Sequence, residues 1–299
     1  MVWKQWIRSF LVQQAKEQLA SRAMNAQADS ADVTRENDAS VDVLIVVNEA
    51  AEAGSVLDRL TGVFRIHPQD FQLFRGNLDG RRVLVAQVEG DVSAAAHVTK
   101  AVIQAHSPRW VIAAGFSVAL KPEFGQDELI IASHVTDEKG QRLKIDIQDS
   151  PQQKEFFRVG TVLTCGHIPE DKKARVALAT AHHADVADGT SMGIAQTCCA
   201  AGIPCLVIRI VRKRLEDQTP REIQHSSQQA SLSGRIGSLI GGTFRRPGTA
   251  RDWLHGKQAA LGCADSLADF LKAVVCRWLP SGQPIGTSGR SDPSEKTSE

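Results

Sequence analysis

The chain has 299 residues, of which 42% are hydrophobic and 23% charged, and its net charge at pH 7 is +1. This near-neutral charge argues against a nucleic-acid-binding protein, which usually carries a clear excess of basic residues. The six cysteines follow neither a disulfide nor a zinc-binding pattern, and no apolar run reaches the roughly 18 residues that would span a membrane. We therefore expect a cytoplasmic protein with free thiols, no metal and no cofactor.

Both ends of the chain are predicted to lie outside a central domain of residues 41–280. Val2–Leu19 has the pattern of an amphipathic helix, with Trp3, Trp6 and Phe10 on its apolar face, and a polar linker follows to residue 40. Contact with a membrane surface or a partner is one interpretation of this helix. Packing on its own domain or on a second subunit is favoured, because its polar face is not strongly basic. Residues 281–299, rich in Ser, Gly and Pro, are predicted to be disordered.

The central domain begins with the strongest predicted strand, Val41–Val47, which is followed at once by a helical pattern. No glycine occurs between Val41 and Gly54, so the turn lacks the fingerprint of a dinucleotide-binding site. It offers the carboxylates of Glu49 and Glu52 instead. Acidic residues also favour helix N-termini without any role in function, so both interpretations stay open.

A second group of predicted elements indicates a partly parallel sheet with a right-handed crossover. The elements are a strand over Val83–Val88, a helix over Ser93–His106, and strands over Trp110–Ala114 and Glu128–Val135. Ligands of such sheets bind at the carboxyl ends of the strands, where Gly90 and Gly115-Phe116-Ser117 lie. The Ser117 segment lacks the last glycine of a nucleophile elbow and the helix that must follow it. We expect Gly115 to begin a loop that lets the backbone approach a ligand.

The rest of the domain alternates strands and helices. The predicted elements are a strand over Gly160–Cys165, a helix over Lys172–His182, a turn over Asp185–Gly189, a helix over Ser191–Ala200, a strand over Pro204–Val211, and helices over Gln224–Ile240 and Gln258–Leu279. Arg209 interrupts an apolar run, so we expect an acidic or ligand partner for it. His182 and His183 are adjacent and cannot both face one metal from a helix.

Three stretches in this order resemble the superfamily of purine nucleoside phosphorylases and methylthioadenosine/S-adenosylhomocysteine nucleosidases. They are VDVLIVVNEAAEAGSVL, VEGDVSAAAHVTKAVIQAHSPRWVIAAGFSVAL and GIAQTCCAAGIPCLVIRIV. The resemblance covers residues 41 to about 279. It implies an α/β fold, a three-layer sandwich around a mixed, partly barrel-like β-sheet, and assembly as a homodimer or homotrimer.

The resemblance also implies the reaction. Such enzymes cleave the N-glycosidic bond of a purine nucleoside, and the expected activity here is a nucleosidase that acts on an adenine-type nucleoside in methionine salvage. Phosphorolysis of a purine nucleoside or an adenosylated lipid, with phosphate as second substrate, is the alternative. A nucleoside-binding protein without activity is a third possibility.

The resemblance also implies site residues, by their positions in the matching stretches. Glu52 matches the glutamate that activates water, and the pair that grips the ribose corresponds to Gly189 and Thr190. An aspartate that serves the purine nitrogen corresponds to Lys213. Lys213 itself, or Glu216 or Asp217 after a loop shift, could supply the purine's proton, and Asp185 or Asp188 could contact the ribose. The predicted catalytic residues are Glu52, Lys213 and Asp217, and the predicted substrate-binding residues are Glu49, Gly90, Gly115, Phe116, Gly189, Thr190 and Arg209.

Overall fold

A computed structural model describes residues 41–68, 71–146, 156–217 and 248–280, with side chains from residue 258 onward in the last range. The predicted N-terminal helix, the polar linker, the helix over Gln224–Ile240 and the C-terminal tail lie outside these residues.

The described residues form ten strands and five α-helices. The strands are β1 (Val43–Val47), β2 (Thr61–Ile66), β3 (Gln72–Leu78), β4 (Arg81–Gln87), β5 (Trp110–Ala119), β6 (Leu129–Asp137), β7 (Arg142–Lys144), β8 (Arg158–Thr164), β9 (Val186–Asp188) and β10 (Cys205–Lys213). The helices are α1 (Ala50–Leu57), α2 (Val92–His106), α3 (Lys172–His182), α4 (Ser191–Ala201) and α5 (Gly248–Ala273), and α5 continues into a π-helical turn over Val274–Trp278.

The strands form one mixed sheet that is partly closed into a barrel. Neighbouring strands follow the order β10-β6-β8-β9-β5-β1-β4-β3-β2, and β10 also pairs with β5. Strands β10, β6, β8, β9 and β5 therefore make a closed ring. β1 runs parallel to both β4 and β5, and β5 runs parallel to β10. The predicted mixed, partly barrel-like α/β fold is confirmed.

The two faces of the sheet carry separate apolar cores, which produces the three layers. Helices α2 and α4 pack on one face, and α1 and α5 pack on the other. All five residues of β1 are buried, as expected for a parallel strand that is covered on both faces. Because β1 lies beside β5 in the sheet, its carboxyl end delivers α1 directly to the middle of β5, next to Gly115 and Phe116.

Two predicted boundaries within the sheet were wrong, and tertiary pairing explains both. β5 does not stop at Gly115 but continues to Ala119, because its second half pairs with β10 and β9. Gly115 thus lies inside a strand and does not begin a loop. The predicted turn over Asp185–Gly189 contains β9, which pairs with β5 and β8. In both places inter-strand hydrogen bonds override the local preferences of Gly and Asp.

The last predicted helix begins earlier than expected, at Gly248 and not at Gln258. Its described side chains pack on α1 and β10. In the described parts of the chain, no helix is both long enough and apolar enough to cross a membrane.

Candidate active site

Glu52 is held in the first turn of α1 by backbone donors from the end of β1 and from the middle of β5. Its Oε2 accepts hydrogen bonds from the amides of Asn48 (2.8 Å) and Glu49 (2.7 Å), at the end of β1. Its Oε1 accepts one from the amide of Phe116 in β5, at 2.7 Å. The side chain is thereby fixed between β1 and β5, and the residue is only 1% exposed.

Burial changes the acid–base chemistry of this carboxyl group. Desolvation raises the pKa of Glu52 to about 7, and the negative charge of Glu49 acts in the same direction, while the three backbone hydrogen bonds oppose the rise. Oε2 already accepts two hydrogen bonds, which match its two lone pairs, whereas Oε1 accepts one. Oε1 is therefore the atom that can take up a proton, and its pKa suits a general base near neutral pH.

Arg209 reaches the same point from the other side of Gly115. Gly115 pairs with Arg209 across β5 and β10. A Cβ atom on Gly115 would lie 2.6 Å from Nη1 of Arg209 and 2.9 Å from Oε1 of Glu52. Because Gly115 has no side chain, the Arg209 guanidinium and the Glu52 carboxylate can both approach this point. The φ of Gly115 is +154°, a value that favours glycine.

The rest of the Arg209 guanidinium is anchored. Its Nη2 lies 2.5 Å from Oδ2 of Asp188, so the acidic partner predicted for this buried arginine is confirmed. Nε and Nη2 donate to the hydroxyl of Ser191 at 3.0 and 2.7 Å, and Nη2 lies 3.3 Å from the hydroxyl of Thr190. Nη1 makes no hydrogen bond to any other residue that the structure describes, so it can donate to a ligand.

The β9–α4 junction thus brings Thr190 beside Arg209, and Gly189 directly precedes Thr190; the role of Gly189 in substrate binding stays a prediction. Asp188 itself is fully engaged, since it also accepts hydrogen bonds from the hydroxyls of Thr164 (2.8 Å) and Ser191 (2.6 Å). Its geometry is that of an anchor for Arg209. Asp185, the other aspartate considered for the ribose, is paired with Lys121 at 2.5 Å.

Glu49 and Phe116 lie at the outer side of this group. The carboxylate of Glu49 accepts two hydrogen bonds from Nη1 of Arg212, at 2.7 and 2.8 Å, and the Arg212 guanidinium lies 5.1 Å from the centre of the Phe116 ring. Oδ1 of Asn48 is buried without a hydrogen-bond partner among the described residues. The end of β1 therefore offers one further acceptor.

Gly90 lies directly before the N-cap residue of α2. Its φ of +145° and a Cβ position 2.8 Å from the Cβ of Ala94 reflect the tight entry into α2, where Asp91 caps the helix. Its role in substrate binding stays a prediction.

The predicted residues at the end of β10 and just after it are held in ion pairs. Nζ of Lys213 lies 2.9 Å from Oε1 of Glu170, and Asp217 pairs with Arg214 at 3.1 Å. Glu216 pairs with Lys172 at 3.0 Å. The catalytic roles of Lys213 and Asp217 stay predictions. Glu170 was missed, and the only signal for it is its place in the loop after β8.

Among the described residues, no group of three or more His, Cys, Asp or Glu side chains could hold a metal ion.

Comparison with known proteins agrees with this architecture. Residues 42–156 match the family model of the phosphorylase superfamily. No curated protein matches the sequence. Among solved structures, the methylthioadenosine/S-adenosylhomocysteine nucleosidase of Campylobacter jejuni has a TM-score of 0.62 at 13% identity, over 79% of this chain and 98% of that one. A futalosine hydrolase mutant of Helicobacter pylori has a TM-score of 0.61 at 14% identity, over 79% and 98%.

A nucleosidase from S. pneumoniae, solved with a transition-state inhibitor, has a TM-score of 0.60 at 11% identity, over 79% and 98% of the two chains. At these identities the likeness concerns the fold. Together with the family match, it confirms the resemblance to the nucleoside phosphorylase and nucleosidase superfamily that the sequence predicted.

Proposed function

We propose that this protein is a nucleosidase that hydrolyses the N-glycosidic bond of an adenine-type nucleoside, of the methylthioadenosine or S-adenosylhomocysteine kind. The observation that carries the proposal is the buried carboxyl of Glu52, whose pKa is about 7 and whose Oε1 faces Nη1 of Arg209 across Gly115. The family match and the activities named for the structural neighbours support the same reaction class.

Water is the nucleophile in this proposal. It binds between Oε1 of Glu52, which accepts its proton, and Nη1 of Arg209, which donates to its oxygen. As the bond from the sugar carbon to the base nitrogen breaks, its electron pair stays on the base, and the water oxygen bonds to the sugar carbon. The base gains one proton, so that one water is added across the bond overall. General base catalysis of this kind contributes about 10²–10⁴-fold.

Two features favour water over phosphate as the nucleophile. The charge of Arg209 is already balanced by Asp188, so little positive charge is left for a phosphate dianion. The ionised form of Glu52 would also repel a phosphate beside it. A neutral water suits a carboxylate and the Nη1 group of Arg209, which donates to no other described residue.

The finer predictions belong to this proposal. Assembly as a homodimer or homotrimer, location in the cytoplasm and a part in methionine salvage are the expectations that accompany it. Light scattering of the full chain measures the first of them directly.

The test is the release of adenine from methylthioadenosine and from S-adenosylhomocysteine by the wild type and by Glu52→Gln. The amide oxygen of the variant can still accept from Asn48 and Glu49, but the residue cannot take up a proton. We expect kcat to fall about 10²–10⁴-fold with little change in KM. Glu123→Gln, at an exposed position, is the control and should keep full activity.

Two results would contradict the proposal. One is undiminished turnover by a folded Glu52→Gln variant. The other is the absence of adenine release by the wild type from either nucleoside. Adding inorganic phosphate separates hydrolysis from phosphorolysis, because only phosphorolysis yields a sugar 1-phosphate.

A further inference from the structure

Arg212 occupies a β-bulge near the end of β10, and no step of the proposed hydrolysis uses it. Val211 pairs with Ser117 in β5, and Lys213 pairs with Val118, the next residue of that strand. Arg212 is therefore an extra residue between two paired ones. A bulge of this kind redirects a side chain out of the regular alternation of a strand. The direction of the Arg212 side chain is thus set by a local irregularity of β10.

The Arg212 side chain joins the two segments that hold Glu52. Its Nη1 donates to both carboxylate oxygens of Glu49, at 2.7 and 2.8 Å, and its guanidinium carbon lies 5.1 Å from the centre of the Phe116 ring. The backbone amides of the same two residues donate to the carboxyl group of Glu52, Glu49 to Oε2 and Phe116 to Oε1, each at 2.7 Å. One guanidinium therefore contacts both residues whose amides fix this carboxyl group.

The contact between Arg212 and Glu49 adds little to the stability of the fold. The two side chains are 33% and 47% exposed, and so exposed an ion pair contributes at most about 1 kcal/mol. Its larger consequence is for Glu52, which is buried beside it, because charges act most strongly on a group that is removed from water.

Glu49 is the charged neighbour that opposes ionisation of Glu52. Burial is the main cause that raises the pKa of Glu52 to about 7, and the charge of Glu49 adds to it, whereas the amides of Glu49 and Phe116 act against it. Arg212 balances the charge of Glu49. The strands β1 and β5, which flank Glu52, contain no charged residue. Charged groups of β9, β10 and α5 near α1 are held in pairs of their own, Arg209 with Asp188, Lys213 with Glu170, and Arg59 with Asp265 and Asp269.

We propose, building on the function proposed above, that Arg212 is a positioning residue that fixes the amides around Glu52, neutralises Glu49 and thereby sets the pH at which Glu52 accepts a proton from water. Without Arg212, the uncompensated charge of Glu49 and the loosened amides both disfavour the ionised form of Glu52, so its pKa rises. Removing the charge of Glu49 has the opposite effect. A purely structural role for Arg212 would not produce these two opposite shifts.

The test follows the ionisation of Glu52 itself, so it does not depend on turnover. The full-length protein is labelled with ¹³C at the glutamate carboxyl carbons, and the NMR signal of Glu52 is identified in each variant by its loss when Glu52 is replaced with Gln. The midpoint of its titration is expected at about pH 7 in the wild type.

In Arg212→Met we expect this midpoint to rise by about one pH unit, the lower end of the effect of a close charge, because the ion pair is partly exposed to solvent. Glu49→Gln should lower the midpoint, since its amide oxygen can still accept from Arg212 but carries no charge. Arg212→Lys keeps the cation and should stay close to the wild-type midpoint.

Arg214→Met is the control, because it removes the same charge two residues further along, from an ion pair with Asp217 (3.1 Å). It should leave the midpoint unchanged, and thermal unfolding checks that every variant is folded. The proposal is overturned if Arg212→Met titrates like the wild type, shifts downward, or shifts no more than Arg214→Met.

Adenine release connects the titration with the proposed reaction. The rate should reach half of its maximum at the NMR midpoint of each variant, because only the ionised form of Glu52 can act as a general base. Release with a pH dependence that does not follow these midpoints would show that Arg212 does not set the working pH. The expected midpoints without adenine release from either nucleoside would instead contradict the hydrolytic function and leave the effect of Arg212 on Glu52 standing.

Discussion

Arg209 and Asp188 form an ion pair with Nη2 and Oδ2 at 2.5 Å, in which each side chain is only 2% exposed. Removing two charges from water is costly, and the cost is offset here by hydrogen bonds to both oxygens of the Asp188 carboxylate. The hydroxyls of Thr164 and Ser191 supply two of them. The result is a rigid guanidinium whose Nη1 is directed past Gly115 toward Glu52, so the anchor inside the barrel sets the geometry of the proposed water site.

Replacing Asp188 with Asn should leave the charge of Arg209 buried and uncompensated. We expect the free energy of unfolding to fall by about 3–5 kcal/mol, as measured by urea denaturation. Glu49→Gln is the matched control, because it breaks an ion pair with Arg212 in which the side chains are 47% and 33% exposed. Such a pair contributes at most about 1 kcal/mol. Equal losses of unfolding free energy in the two variants would show that the buried ion pair stabilises the protein no more than the surface pair does.

Glu52 should make the folded state less stable as the pH rises. Its pKa in the folded protein is about 7, raised from 4.5, so between these values the folded state holds a proton that the unfolded chain has lost. The unfolding free energy should therefore decline from pH 4.5 to 7, by about 3 kcal/mol in total. Measured at pH 5 and pH 8, the wild type should lose more stability than Glu52→Gln.

Glu216 provides a control of opposite sign for this experiment. Its hydrogen bond with Lys172 lowers its pKa, so its contribution is present at higher pH and is lost as the pH falls below 4.5. Glu216→Gln should leave the decline between pH 5 and 8 unchanged. A wild type and a Glu52→Gln variant with the same pH dependence would show that Glu52 does not hold its proton in the folded state.

Much of the fold could be predicted because its signals are local. The apolar run of β1, the helix over Lys172–His182 and the position of Glu52 after the first strand can all be recognised within short windows of sequence. The burial of Arg209 also followed from a single charge inside an apolar run. In each case the physical cause lies within a few residues of its effect.

The rest depends on contacts between distant residues. β5 passes through Gly115 because β10 supplies hydrogen bonds to its second half, and no window around Gly115 contains that information. Glu170 approaches Lys213 from a loop 43 residues earlier in the chain. Asp188 pairs with Arg209, which lies in another strand, and no pattern around either residue indicates this partner. Such pairings follow from the topology of the barrel, not from local pattern.

Gly115 is the position where a single methyl group should interfere with both halves of the site. In Gly115→Ala the new Cβ would lie 2.6 Å from Nη1 of Arg209 and 2.9 Å from Oε1 of Glu52, at a φ of +154°. Overpacking of this kind costs about 1–3 kcal/mol, and the displaced side chains should lower kcat for nucleoside hydrolysis at least tenfold, since a small misplacement of catalytic groups is costly. Thermal unfolding and adenine release measure the two effects.

Gly54→Ala is the control for this substitution. A Cβ at Gly54 meets nothing within 4 Å, and alanine is the better helix former in α1 by about 1 kcal/mol. This variant should be at least as stable as the wild type and equally active. If Gly115→Ala behaved in the same way, the close approach of Glu52 and Arg209 at that point would not matter for function.

Arg175 should stabilise the segment that follows β10. In Arg175→Met the carbonyls of Arg214, Leu215 and Asp217 would lose the Nη1 group that lies 2.9–3.3 Å from them, and Glu170 would lose a buried cation. We expect a loss of about 3–5 kcal/mol in unfolding free energy. We also expect faster amide hydrogen exchange in residues 212–217, measured by mass spectrometry.

Arg59→Met is the comparison for this last prediction, because Arg59 also forms two ion pairs, with Asp265 and Asp269, but with carboxylates that are 56% and 71% exposed. It should cost no more than about 2 kcal/mol, the sum of two surface pairs, and leave exchange in residues 212–217 unchanged. Unaltered exchange in Arg175→Met would mean that β10 alone orders this segment.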